Sequence, residues 1–218
     1  MQYKGVAFDL DGVLTETSRA HFKAWKELAE SLGYTLEDEV EDHVRGISRM
    51  ASLEIVLEAG GISSEFNHEQ KVEMATRKNL RYLELIKEYT SKELSPGTME
   101  LLDYLKVKGK KIALASASAN GPFLLDAMGI SSYFDAIVNP TLIPQGKPAP
   151  DIFAKAAELL GLEPVECCGI EDAYAGVESI KAAGLFPIGV GSKDLLTNCE
   201  VVFDDLWGVL NYFKSYEE

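Results

Sequence analysis

Residues 4–15, Lys4-Gly5-Val6-Ala7-Phe8-Asp9-Leu10-Asp11-Gly12-Val13-Leu14-Thr15, leave few folds open. The apolar residues at the start do not alternate with polar ones, which is how a strand buried on both faces reads. Two carboxylates follow, two residues apart, and a glycine comes next. The core of a parallel sheet is a costly place for a carboxylate. The crevice outside the carboxyl ends of its strands is where ligands bind. The pattern therefore predicts a first strand over 5–10, with Asp9 at its exit, Asp11 in the loop beyond and Gly12 allowing a tight turn. Two close carboxylates repel unless a cation or a shared proton compensates. The stretch reads as a metal or acid–base site; the plain alternative is an Asp-Gly turn with solvated acids.

The rest of the chain has to supply the sheet. Between Leu14 and about Leu94 no strand is expected. Thr17 or Ser18 is placed to cap a helix running to Leu32, and further helices are predicted over 39–45, 50–59 and 68–88. This block is too long for an ordinary connection. After Ser95-Pro96-Gly97 the pattern changes. Short apolar strands are expected at 111–115, 136–138, 165–170, 186–190 and 201–203. They alternate with helices at 99–107, 122–128, 151–160, 173–183 and 207–213. That alternation predicts an α/β fold, a doubly wound, mostly parallel sheet. The expected organisation is a core of residues 1–14 and 92–218 with a helical insertion, 15–91, whose two connections are candidate hinges.

At 218 residues and 46% apolar composition the chain has material for a real core. Its formal charge of -14 disfavours nucleic acid and anionic membrane as partners. No run of residues has the length of a membrane span, and no start segment has the parts of a signal peptide. Three cysteines, two of them adjacent at 167 and 168, form no disulfide framework, so a reducing cytoplasm is expected. No large exposed apolar stripe is apparent, which favours a monomer.

The chemistry is concentrated at strand ends. Strand one leads to Asp9 and Asp11; the strand at 111–115 runs into Ser116; the strand at 165–170 runs into Glu171-Asp172. In a parallel sheet these ends share one edge. Lys147, in Gln145-Gly146-Lys147-Pro148, lies in a loop able to reach the same edge. Four carboxylates gathered there need a divalent cation, and an all-oxygen donor set favours magnesium over zinc. The Ser116–Gly121 turn and Lys147 suit the oxygens of a phosphoryl group. A carboxylate beside the cation can attack phosphorus, and a second can move a proton to and from the oxygen involved. Taken singly, Ser116 also reads as a helix cap, Lys147 as a surface lysine and Glu171-Asp172 as a cap for the next helix.

Asp9-Leu10-Asp11-Gly12, Ser116, Lys147-Pro148 and Glu171-Asp172 together resemble the four signatures of the haloacid dehalogenase-like superfamily, over essentially the whole chain. The resemblance implies that Asp9 is the phosphorylated nucleophile. Asp11 is the general acid/base and lends its backbone carbonyl to Mg2+. Ser116 and Lys147 hold the transferring group, and Glu171 and Asp172 complete the metal site. It also implies a helical cap inserted just after the first strand. Within the superfamily, His21-Phe22-Lys23-Ala24-Trp25, Gly46-Ile47-Ser48-Arg49, Arg77-Lys78-Asn79 and Asn120-Gly121-Pro122-Phe123 are similar to a branch of sugar-phosphate mutases.

That closer similarity implies magnesium-dependent interconversion of beta-D-glucose 1-phosphate and glucose 6-phosphate through the 1,6-bisphosphate, with a small sugar phosphate as the only partner. Arg49 suits the phosphate that is not reacting, since a guanidinium matches phosphate geometry; Ser118 and Asn120 complete that clamp, with Gly46 in the segment that presents Arg49. His21 is expected to hold Asp11 when the cap closes, or else to be a surface histidine. Trp25 is either core or an apolar wall near the sugar. Lys78 lies either at the cap–core interface or on a solvated helix face. Three residues depart from the branch's pattern: Glu16 where aspartate is usual, Arg45 for lysine, and Ala119 for a lysine facing phosphate. The last weakens the distal anion site by about 1–3 kcal/mol if that lysine is a direct partner. Two alternatives remain: a sugar-phosphate phosphatase using the same core, and a phospho-accepting signalling module.

Overall fold

The structure, a computed structural model, describes residues 3–215. The chain divides into two compact units. One joins the chain up to Glu16 with the chain from Tyr89 onward, and the other is Thr17–Glu88.

The first unit is built on six strands: β1 (Gly5–Phe8), β2 (Lys111–Leu114), β3 (Ala136–Ile137), β4 (Cys167–Glu171), β5 (Phe186–Val190) and β6 (Val202–Phe203). Every pairing is parallel, and the spatial order is β3-β2-β1-β4-β5-β6. β1 is buried along its whole length, as its unbroken apolar run requires. The chain builds outward from β1 to β3 and then returns to the other side of β1 with β4. The strand order therefore reverses between β1 and β4, and ligands of open parallel sheets bind outside such a point.

Helices cover both faces. α5 (Thr98–Val107) and α9 (Leu206–Ser215) pack on each other and on β2 and β5, while α7 (Asp151–Leu160) and α8 (Tyr174–Ala182) pack on each other and on β1 and β4. Ala7, Ala113, Phe153, Ala156 and Ile180 form the apolar layer under α7 and α8. α6 (Gly121–Ala127) follows β2. Gly161, at φ +65°, stops α7 in the left-handed conformation that glycine adopts freely.

The second unit is helical: α1 (Ser18–Ser31), α2 (Glu41–Val44), α3 (Arg49–Ala59) and α4 (His68–Ile86). Phe22, Trp25, Leu28, Leu53, Val56, Leu57 and Ala75 form its core. α4 opens on a reciprocal cap: the Asn67 side chain accepts from the Gln70 amide at 3.0 Å and the Gln70 side chain accepts from the Asn67 amide at 2.9 Å.

Several boundaries differ from the sequence reading. Residues 39–45 are not one helix: a 3-10 turn over Asp38–Val40 precedes the single turn of α2. The strand expected at 165–170 begins with a 3-10 turn over Pro164–Glu166, so the strand starts at Cys167 and Glu171 is its last residue. Thr17 does occupy the N-cap of α1, but its side chain makes no capping hydrogen bond, because its backbone is already helical (φ -104°, ψ -8°).

Candidate functional site: a buried carboxylate–lysine cluster

Strand register assembles the site. Gly5 is level with Lys111 on one side and Cys167 on the other, and Phe8 with Leu114 and Ile170. The next residues up, Ala115, Asp9 and Glu171, therefore stand side by side. The Asp9 amide donates to Ile170 O at 2.9 Å and the Ala115 amide to Phe8 O at 2.7 Å, so the pairing continues past the end of β1. Residues in register on parallel strands point to the same face, which brings Asp9 and Glu171 together above the sheet's reversal point.

Lys147 joins them. Its Nζ lies 2.5 Å from Asp9 Oδ1 and 2.7 Å from Glu171 Oε2, and all three side chains are buried. The Phe153 ring lies 5.0 Å from the same ammonium. Glu171 Oε1 accepts from the amides of Asp172 and Ala173 at 3.2 and 3.1 Å, so both of its oxygens are tied. The carboxylates of Asp9, Glu171 and Asp172 have oxygens within 4.8 Å of one another and can hold a metal ion. Three buried carboxylates gather there, with the Lys147 ammonium on two of them. A divalent cation with a preference for oxygen donors fits this charge and this donor set.

The electrostatics agree. Burial first, and then the Glu171 carboxylate, push Asp9 up to about 8; Asp11 adds to the rise and Lys147 opposes it. Burial alone would lower Lys147, but Asp9 and Glu171 outweigh it and hold the lysine charged.

The loop after Asp9 is short and closed. Leu10 O accepts from the amides of Val13, Leu14 and Thr15, and the Gly12 amide donates to Thr15 O at 2.8 Å. Gly12 has φ +88°, and a Cβ there would lie 2.0 Å from Asp172 Oδ2. The turn thus needs glycine twice over, for its backbone and for the space Asp172 fills. Asp11 is half-buried in this loop.

Ser116 follows β2 and is buried. Its hydroxyl accepts from the Ser118 amide at 3.1 Å, and the Ser118 hydroxyl accepts from the Asn120 amide at 3.3 Å. Each oxygen is fixed by an N–H, which leaves its O–H to donate. Ser118 and Asn120 are half-buried and Ala119 is exposed.

The second unit holds a separate cluster. Lys78 is 2% exposed, on the inner face of α4. Its Nζ lies 2.7 Å from His21 Nδ1, 4.4 Å from the Trp25 ring centre and 5.2 Å from that of Tyr82. His21 stacks on Tyr82 with centres 3.8 Å apart. Burial, then the charges of Lys78 and Arg49, push His21 well below its ordinary 6.5. The neutral ring accepts from Lys78 at Nδ1 and carries its proton at Nε2. Arg49 is half-buried at the start of α3, and burial lowers its pKa, though a guanidinium stays charged. Gly46 turns the chain before α3 at φ +73°. Lys78 is thus no solvated surface lysine, and Trp25 is a core residue of this unit.

The structure brings together Asp9, Lys147, Glu171 and Asp172 in one cluster, and His21, Trp25 and Lys78 in another. Sequence reading overlooked Tyr82 and Phe153, which supply the aromatic faces. Tyr82 carried a signal: it follows Lys78 by four residues on α4, as Trp25 follows His21 on α1.

Comparison with known proteins adds three findings. Residues 3–184 match the family model of haloacid dehalogenase-like hydrolases. Over 199 residues the chain is 43% identical to a beta-phosphoglucomutase of Bacillus subtilis, covering 91% of this chain and 88% of that protein. A phosphorylated carbohydrates phosphatase of Thermotoga maritima is 32% identical over 184 residues, 84% of this chain and 82% of the relative. Among solved structures, a beta-phosphoglucomutase from Clostridium difficile superposes with a TM-score of 0.93 at 38% identity, covering 99% of both chains.

Proposed function

The chain belongs to the haloacid dehalogenase-like hydrolase family, and we propose that it interconverts beta-D-glucose 1-phosphate and glucose 6-phosphate by magnesium-dependent phosphoryl transfer through Asp9. The observation that carries this reading is the buried Asp9, paired to Lys147 at 2.5 Å at the sheet's reversal point, with Asp11 two residues beyond. Likeness to the two mutases, at 43% and 38% identity, directs it to glucose phosphates.

In this reading Asp9, Asp172, Glu171 and the Asp11 backbone carbonyl hold the magnesium ion. When bound, the ion supplies positive charge to the phosphoryl oxygens and to the clustered carboxylates. A carboxylate oxygen of Asp9 forms a bond to phosphorus as the bond from phosphorus to the sugar oxygen breaks. Asp11 gives a proton to that oxygen. In the other half-reaction Asp11 takes the proton from the free hydroxyl of the sugar monophosphate; that oxygen attacks the phosphoaspartate, the acyl–phosphate bond breaks, and the 1,6-bisphosphate and a restored Asp9 result. Lys147 and the Ser116 hydroxyl hold the oxygens of the group in transit.

We assign Arg49, Ser118 and Asn120 to the phosphate that is not reacting, with Gly46 shaping the segment before Arg49. In this reading the Thr17–Glu88 unit is the cap, and His21, Lys78 and Trp25 are its further substrate-binding residues. Three free, buried cysteines are consistent with a reducing cytoplasm. Among the described residues no helix is long and apolar enough to cross a membrane. A monomer suffices for this chemistry.

The test supplies magnesium, beta-glucose 1-phosphate and a trace of beta-glucose 1,6-bisphosphate, and follows glucose 6-phosphate and inorganic phosphate together. Glucose 6-phosphate with little free phosphate is expected. Free phosphate as the main product would overturn the mutase reading and leave a sugar-phosphate phosphatase, the activity named for the Thermotoga maritima relative.

A further inference from the structure

We infer that Gly176 is a positioning residue for the phosphoryl-transfer site: the side chain it lacks is the space in which the Glu171 carboxylate seats, and through Glu171 it fixes Lys147 on Asp9. Gly176 is the third residue of α8. A Cβ built there would lie 2.0 Å from Glu171 Cδ, 2.0 Å from Oε2 and 2.4 Å from Cγ. No side chain can approach that closely. The backbone itself does not ask for glycine, since Gly176 is absent from the glycines with positive φ. Alanine is the better helix former, so the reason for glycine is the carboxylate.

The neighbour cannot swing aside. Glu171 Oε1 holds the amides of Asp172 and Ala173 at 3.2 and 3.1 Å, and Oε2 holds Lys147 at 2.7 Å. Displacing the carboxylate by the width of a methyl group breaks one set of these bonds. Lys147 would then keep Asp9 but lose its second anchor, and the oxygen cluster shared by Asp9, Glu171 and Asp172 would lose its geometry. Partners that orient metal-site groups commonly matter to binding by about 10–100-fold.

The magnesium half of the test rests on the reading given under Proposed function; the Glu171–Lys147 half stands on the geometry alone. Magnesium binding is measured by calorimetry on the wild type, Gly176→Ala, Glu171→Asp and the double variant. Gly176→Ala is expected to weaken binding by about 10–100-fold. The double variant should bind no worse than Glu171→Asp alone, because the shorter side chain withdraws from the space above residue 176. Wild-type affinity in Gly176→Ala, or losses that multiply in the double variant, would overturn the inference. If Gly176→Ala does not fold, adding Glu171→Asp should restore folding, and failure to do so is equally contrary. A wild type that binds no magnesium would refute the metal reading instead. The inference is then decided by a crystal structure of Gly176→Ala: loss of the Glu171–Lys147 contact is expected, and an unchanged contact refutes it.

Discussion

Lys147 and Asp9 are bound to each other's ionisation, and each substitution should show it. Lys147→Ala leaves two buried carboxylates facing each other without the ammonium between them. The magnesium-free variant should lose about 3–5 kcal/mol in urea unfolding, and Asp9, without the ammonium that opposes its rise, should keep its proton to a higher pH than in the wild type. Asp9→Asn acts in the opposite sense. It removes one member of an over-charged cluster, so the magnesium-free variant should be more stable than the wild type above pH about 8, where Asp9 ionises. Its turnover should nonetheless fall by at least about a thousandfold, as for other deleted nucleophiles.

The pH dependence has a definite sign. Asp9 rises from an ordinary 3.8 to about 8 on folding, so the folded state binds the extra proton between those values. Its contribution is full below pH 3.8 and is lost as pH rises through about 8. His21 runs the other way. Its pKa falls well below 6.5 on folding, so the unfolded chain takes up a proton that the folded unit refuses. Stability from His21 is present above 6.5 and is lost as pH falls below it. Thermal midpoints of the magnesium-free protein should therefore decline from pH 6.5 to 8, and magnesium should flatten that decline. Below 6.5, His21→Asn should remove a loss that the wild type shows.

At the scale of elements, strands and helices were legible where periodicity and turn residues agreed. The run Gly5–Phe8 and the break at Gly161 each point to one local structure. Short polar stretches were not: Glu39–Arg45 has too few apolar positions to tell a 3-10 turn from a helix. The core site was legible because strand ends in a parallel sheet must share an edge. The second cluster was not, since nothing in a sequence says that Lys78 is buried against three aromatic rings. Nor does it say that Gly176 is empty for the sake of Glu171. Removing the reciprocal cap of α4 with Asn67→Ala should lower the stability of the helical unit by about 0.5–2 kcal/mol, read as a shift in urea midpoint. Leu53→Ala, in its core, should lower it by about 2–5 kcal/mol.

For the whole molecule, the proposed function asks a chain of charge -14 to handle a doubly phosphorylated sugar. The few local cations set against that field are Lys147 at the sheet's edge and, by proposal, Arg49 for the far phosphate; Ala119 adds none. Weak affinity for the bisphosphate is the expected consequence, and Ala119→Lys should tighten it by roughly 1–3 kcal/mol, measured by calorimetry. The most direct test of the account is the fate of one phosphoryl group. Beta-glucose 1,6-bisphosphate carrying a labelled phosphoryl group is added with magnesium, the protein is sampled by mass spectrometry, and unlabelled beta-glucose 1-phosphate follows. The account predicts label on Asp9, absent from Asp9→Asn, and its recovery in sugar phosphate after the second addition. Label that never appears on Asp9, or that leaves it only as inorganic phosphate, would contradict it.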